Sequence, residues 1–154
     1  MFSKTTEYAI PATIYIAQKS SEENKLGIEE ISNAIDSPQS FTAKILQLLT
    51  RNKIVSSVRG PNGGFYISEK AKKLPARSIL QAMGEAEVLE KCVLGLKKCS
   101  EIQPCPIHSQ YNSIRQQLIQ LFVSKPIQLL ASDITDRLVF IHTKKKSLLL
   151  LLIQ

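Results

Sequence analysis

The sequence predicts a mainly α-helical protein with a small β-hairpin wing: a winged helix-turn-helix domain followed by a long dimerisation helix. Three observations predict it. Two short amphipathic stretches, one through Ile28, Ile31 and Ile35 and one starting near Ser40, flank the turn-forming Asp36–Ser37–Pro38. The helical period then gives way to β-branched, serine-rich Ile54–Val58, which faces Gly64–Ile67 across a glycine-rich turn. After His108 an apolar helical stripe returns, beyond a region that already holds enough apolar side chains for its own core.

Taken in order, Tyr8, Ile10, Ile14, Tyr15 and Ala17 recur at near-helical spacing and predict an amphipathic helix from Lys4 to Gln18. Pro11 falls inside it and predicts a kink or a late start, because proline removes one donor and crowds the carbonyl four residues back. Ser20–Asn24 is a polar loop, and the short second helix ends at Asp36–Ser37–Pro38. The next helix points Phe41, Ile45, Leu48 and Leu49 inward and leaves Ser40, Thr42, Ala43, Lys44 and Gln47 on its open side. Small and polar residues at the N-terminal end of such a helix suit entry into a DNA major groove.

In the hairpin, Asn62–Gly63 offers positive φ cheaply, and Arg59 stands at its base. A guanidinium there suits the narrow, strongly negative minor groove. A further short helix covers 78–84. The segment 85–108 shows little periodicity and carries Gly95, Pro104 and Pro106. Tyr111, Ile114, Leu118, Leu121 and Phe122 then share one stripe up to Pro126, and a last helix runs from Ile127 to Ile141. A long apolar stripe outside a completed domain usually pairs with its own copy, so Ile114, Leu118, Leu121 and Phe122 are the predicted homodimer contacts. The division that follows is a DNA-binding domain over 1–84, a cysteine loop over 85–108, dimerisation helices over 109–141, and a tail over 142–154. The six apolar residues Leu148–Ile153 in that tail are too few to cross a bilayer, and the sequence assigns the tail no role.

A chain of 154 residues can bury one core, and 44% hydrophobic with 21% charged residues excludes general disorder. Three cysteines cannot all pair within one chain, and no apolar signal region opens it, so a reducing cytoplasm is predicted rather than a secreted disulfide framework. No membrane partner is predicted. The net charge of +7 is concentrated: between Asp36 and Arg77 eight bases face two acids. A basic block centred on a helix and a hairpin predicts a polyanion, here double-stranded DNA. Ser40, Thr42, Lys44 and Gln47 are the candidates for bases and phosphates, Arg51 and Lys53 for phosphates, and Arg59 and Asn62 for the wing's contact.

All three thiols lie in one seventeen-residue stretch, Cys92, Cys99 and Cys105, with His108 closing it. Thiolate and imidazole are the donors that zinc and iron–sulfur clusters prefer. His108 follows Cys105 by three residues, one helical turn, which makes it a candidate fourth ligand. Lys91, Lys97 and Lys98 flank the thiols and would favour their anionic form. Zinc and a bare thiol redox sensor compete for the same residues. Cys–His nucleophilic catalysis needs an oriented base and a formed pocket; this proline- and glycine-interrupted loop signals neither, and no phosphate-binding glycine loop is present, so no enzyme is predicted.

The chain resembles the IscR/NsrR-type winged-helix regulators, the Rrf-two family. The resemblance rests on Tyr8–Ala9, on the order Leu26, Ile31, Phe41, Leu46, Leu49, on Asn52–Lys–Ile–Val–Ser–Ser–Val–Arg–Gly–Pro–Asn–Gly–Gly64, and on the three-cysteine loop with its trailing histidine. It covers the chain to about Ile141. It implies a bacterial, dimeric DNA-binding regulator, a repressor in the first instance. Its loop would hold an iron–sulfur cluster, [2Fe–2S] ahead of [4Fe–4S], that senses iron, redox state or nitric oxide and is lost on aerobic purification. In some similar regulators an acidic residue near the N-terminus reaches the cluster from the other subunit, which makes Glu7 the alternative fourth ligand. Ala43 stands where better-known members carry a longer polar side chain, so their operator sequence does not carry over.

Overall fold

The computed structural model describes residues 1–96 and 100–136, with side chains described as far as Ser132. Helix α1 (Lys4–Lys19) starts where the Ser3 hydroxyl accepts the Thr6 N–H at 3.3 Å. It runs through Pro11 rather than starting after it. The bond forgone is the one to the carbonyl of Glu7, an exposed residue, where water can replace the missing donor. Its inner face carries Ala9, Ala12 and Ile16, and Thr13 is accommodated because its hydroxyl donates to the Ala9 carbonyl at 2.8 Å.

Helices α2 (Ile28–Ala34) and α3 (Gln39–Arg51) form the helix-turn-helix. Between them Asp36 takes a left-handed φ of 51°, the Ser37 N–H returns to the Ser32 carbonyl at 3.0 Å, and Pro38 directly precedes α3. The buried stripe of α3 is Thr42, Ile45, Leu46 and Leu49. Phe41 and Leu48, expected inside, are only half-buried, and Phe41 meets Tyr8 edge-to-face at 5.6 Å.

Lys53, at φ 59°, turns the chain out of α3 and sends Ile54 and Val55 into the core. The ladder therefore begins two residues later than the β-branched run suggests, with β1 (Ser56–Val58) antiparallel to β2 (Gly64–Tyr66) and Ser57 opposite Phe65. The turn is also not the two-residue Asn62–Gly63 type. Gly63 donates to the Gly60 carbonyl at 2.9 Å, with Pro61 and Asn62 central, and positive φ falls on Gly60 and Gly64 instead of Asn62. Leu26 adds a third element, exchanging bonds of 2.8 and 2.9 Å with Phe65 and tying the wing to the start of α2.

Two single-turn pieces escaped the sequence reading: α4 (Glu69–Lys72), capped by Ser68, and a 3₁₀ turn at Ala86–Leu89. Four residues span about one period, too few to show a pattern. Between them lies α5 (Arg77–Ala82). Helix α6 (His108–Ser124) buries no residue, although it is the longest helix described. Its C-terminal end is held by the Ala76 N–H on the Lys125 carbonyl (2.8 Å) and the Ile127 N–H on the Leu74 carbonyl (2.9 Å). Helix α7 (Ile127–Asp136), which the sequence places with α6 among the dimerisation helices, packs on α1 within its own chain: Ile127 is fully buried, and Gln18 donates to the Ala131 carbonyl at 2.7 Å. It shares one core with Ile16, Ile45, Leu49 and Ile79. The expected continuation to Ile141 and the leucine-rich tail lie outside the described residues.

Candidate nucleic-acid interface and thiol loop

Because α3 turns Thr42, Ile45, Leu46 and Leu49 inward, Ser40, Ala43, Lys44, Gln47 and Arg51 stand exposed on its opposite side. Thr42 is the one residue of the expected DNA-facing set that the structure removes: it is fully buried, and its hydroxyl has no hydrogen-bond partner among the described residues. Sequence reading grouped it with polar residues by type, whereas helical phase puts it one turn before Ile45 and Leu46. Gln39, also exposed at the start of α3, was missed.

Lys53, Arg59 and Asn62 are exposed beyond α3. Among the described residues no acidic group pairs with Lys44, Arg51, Lys53 or Arg59. Two other bases of the block are engaged: Lys72 pairs with Glu69 at 2.7 Å, and Arg77 pairs with Glu90. All four bases of α3 and the wing are thus unpaired among the described residues, as are Lys70 and Lys73. A cavity of about 370 Å³ runs between the two, lined by Ala43, Gln47, Arg51, Ser57 and Phe65, so helix and wing bound one continuous surface.

The cysteine loop leaves the core at the 3₁₀ turn, where Leu89 is buried. Cys92 follows, half-buried, with its carbonyl accepting the Gly95 N–H at 3.0 Å. Cys105 is half-buried as well, and its carbonyl accepts the His108 N–H at 2.9 Å, which closes the turn that opens α6. Both thiols are free. Cys99, Lys97 and Lys98 lie outside the described residues. Among the described residues no three His, Cys, Asp or Glu side chains come together as a metal site; the expected set of Cys92, Cys99, Cys105 and His108 includes Cys99, outside those residues, and the alternative ligand Glu7 is expected from a second subunit. Within its own chain Glu7 bonds Lys4 at 2.7 Å on the exposed start of α1, a pairing that raises the pKa of that lysine. The donor chemistry of the loop still suits a soft metal, since three thiols and an imidazole lie within one short segment.

A helix-turn-helix with a β-wing and an unpaired basic surface across both defines a winged-helix DNA-binding protein. The family model that matches is Rrf2, iron-dependent transcriptional regulator, over residues 2–133, and the chain belongs to this family of transcriptional regulators. It is a DNA-binding regulator and not an enzyme. A protein of Aquifex aeolicus (strain VF5) named for the HTH-type transcriptional regulators is 32% identical over 130 residues, covering 83% of this chain and 89% of that one. The HTH-type transcriptional regulator IscR of Klebsiella pneumoniae (strain 342) is 26% identical over 111 residues, covering 72% and 67%. Among solved structures, CymR (YrzC), the global cysteine regulator of B. subtilis, superposes with a TM-score of 0.70 at 18% identity, covering 86% of this chain and 97% of that one. T. potens IscR superposes at 0.62 and 15% identity, covering 86% and 88%. No helix among the described residues is long and apolar enough to cross a membrane.

Proposed function

We propose that this chain acts as a homodimer that represses transcription, with an iron–sulfur cluster on the cysteine loop setting its affinity for an operator. The observation that carries the DNA reading is the exposed row of Ser40, Lys44, Gln47 and Arg51 continuing into Arg59 of the wing. In this reading Ser40, Lys44 and Gln47 meet bases and phosphates in the major groove. Arg51 and Lys53 meet phosphates, and Arg59 with Asn62 reaches the adjacent minor groove or backbone. The dimer reading rests on α6, none of whose residues is fully buried and which leaves Ile114 61% and Leu121 50% exposed.

Cys92, Cys99 and Cys105 would hold the cluster, [2Fe–2S] in the first instance, with His108 or a partner's acidic group as the fourth donor. When bound, the cluster supplies a redox-active centre that ties the three thiols to one point. The chain's own part is mechanical: the loop begins at the DNA-binding domain and ends in α6, so constraining it constrains the spacing of two recognition helices that must match half-sites about one DNA turn apart. The gathering of all three thiols in one short segment also supports a second reading, a sensor that works by reversible thiol oxidation.

The test uses a duplex selected from random-sequence DNA. Its affinity is measured anaerobically for protein reconstituted with ferrous iron and sulfide, for apo protein, and for a Cys92→Ala/Cys99→Ala/Cys105→Ala variant. Reconstitution should change affinity at least tenfold in the wild type and leave the variant unmoved, with affinity falling steeply as salt rises. Equal affinities in all three samples would leave a constitutive DNA binder. A change driven by peroxide but not by reconstitution would favour the thiol reading.

A further inference from the structure

The segment between α5 and the first cysteine is gripped from three helices. The Ser3 N–H, at the start of α1, donates to the Glu85 carboxylate at 3.2 Å. Arg77, the first residue of α5, pairs through Nη2 with the Glu90 carboxylate. From α6, Arg115 donates Nη1–H to the Glu90 carbonyl and Tyr111 donates its hydroxyl to the Lys91 carbonyl, both at 3.3 Å. Arg115 is itself steered by Asn112, whose side-chain oxygen it meets at 2.7 Å. Glu90 and Lys91 are the two residues directly before Cys92. Two arginines on different helices thus hold one residue, one by its side chain and one by its backbone.

We infer that Arg77, Tyr111 and Arg115 are positioning residues for the thiol loop, and that Arg77 relays the position of Cys92 to the DNA-binding helix. The inference rests on the sensing function proposed above and names the parts through which it would work. The relay is short. Arg77 opens α5, whose Ile79 is fully buried in the same core as Ile45 and Leu49 of α3. Tyr111 and Arg115 lie on α6, one and two turns after His108, so a displacement of Cys92 is felt by α6 and α5 together. The Nε atoms of Arg77 and Arg115 are buried without a hydrogen-bond partner among the described residues. The grip is therefore incompletely bonded, and a loop position that kept these bonds and added an acceptor for either Nε would compete with this one. That is the property a two-state coupling element needs. It also explains why Arg77, part of the basic block by sequence, is withheld from the DNA surface.

The test compares wild type with Arg77→Gln, Arg77→Lys and Tyr111→Phe by two readouts. The first is the anaerobic alkylation rate of Cys92 by iodoacetamide in apo protein, followed by mass spectrometry with Cys105 as internal control. Arg77→Gln and Tyr111→Phe should speed it about threefold or more, Arg77→Lys less, with an unchanged urea midpoint for Tyr111→Phe. The second is the ratio of DNA affinities of iron- and sulfide-reconstituted to apo protein, which should fall toward one in Arg77→Gln and recover partly in Arg77→Lys, while apo affinity stays at the wild-type value. Unchanged alkylation in both Arg77→Gln and Tyr111→Phe overturns the grip. Altered alkylation with an unchanged affinity ratio overturns the relay. A wild-type ratio of one instead overturns the sensing function itself, and the alkylation arm still judges the grip.

Discussion

Thr42 and Lys44 lie two residues apart on α3, yet one faces the core and the other solvent. Replacing Thr42 by valine keeps the shape and removes a buried hydroxyl that has no hydrogen-bond partner among the described residues. Unfolding free energy should stay level or rise by up to about 1 kcal/mol, and DNA affinity should not move. Denaturant titration together with a DNA-binding isotherm reads both; lost affinity at normal stability would return Thr42 to the DNA face. Lys44→Ala and Arg59→Ala should do the reverse, lowering affinity by about 1 kcal/mol each at unchanged stability and flattening the logarithmic salt dependence by about one unit. Affinities measured across a salt series decide this, and an unaltered slope would detach both residues from phosphate.

At the scale of elements, the wing depends on Gly64. Its φ is 148°, and a Cβ there would lie 2.7 Å from the Leu26 carbonyl oxygen, a backbone atom that cannot rotate aside. Gly64→Ala should cost about 1–3 kcal/mol and loosen the Leu26–Phe65 pairing, seen as a lower urea midpoint and faster amide exchange at Phe65. The start of α1 depends on Glu85 in a different way. Burial opposes ionisation of its carboxyl, but hydrogen bonding from Ser3 and Thr6 together with the charge of Lys91 outweighs it and holds the pKa below the ordinary carboxylate value. The contribution is therefore present above the ordinary carboxylate range and is lost as pH falls through the folded pKa. A melting series from about pH 6 to pH 3 should show Glu85→Gln losing less stability on acidification than wild type.

These elements also show what was legible in the chain. The helix-turn-helix and the hairpin were readable because period and turn residues act locally: Ile31 and Ile35 mark one helix, Ile45 and Leu49 the next, and Pro38 with Asp36 separates them. The phase of α3 was misread by the side-chain types of Phe41, Thr42 and Leu48, since the core selects a stripe by geometry and tolerates a threonine in it. The shorter ladder and the turn at Gly60–Gly63 depended on Ile54 and Val55 being drawn inward, a tertiary effect. The thiol loop has neither period nor core, so its sequence announces donor chemistry but no geometry. The grip on Glu90 was invisible for the same reason: Arg77, Tyr111 and Arg115 meet it only after the fold has formed.

For the whole molecule the question is which apolar surface remains once one chain has finished folding. Helix α7 contributes less to it, because Ile127 and Ala131 lie in the core, although Leu129 stays 41% exposed. Helix α6 contributes more: it has no buried residue, Ile114 and Leu121 are half or more exposed, and Leu118 and Phe122 are half-buried, Phe122 against Phe2 at 5.8 Å. Leaving such a stripe in water forfeits about 25 cal/mol for each Å² of apolar surface that a symmetry mate would cover. A glutamate at Leu118 would place an unpaired charge in that interface, at a cost of several kcal/mol, and should yield monomers in sedimentation velocity. The monomer should keep its fold, since Leu118 lies outside the core, and its thermal transition should remain cooperative. It should bind a two-half-site duplex about a hundredfold more weakly while still binding one half-site, because a dimer engages the second site at a high effective concentration. An unaltered dimer for Leu118→Glu would move the interface off α6. Monomers with undiminished affinity for the full duplex would show that each winged helix binds DNA alone.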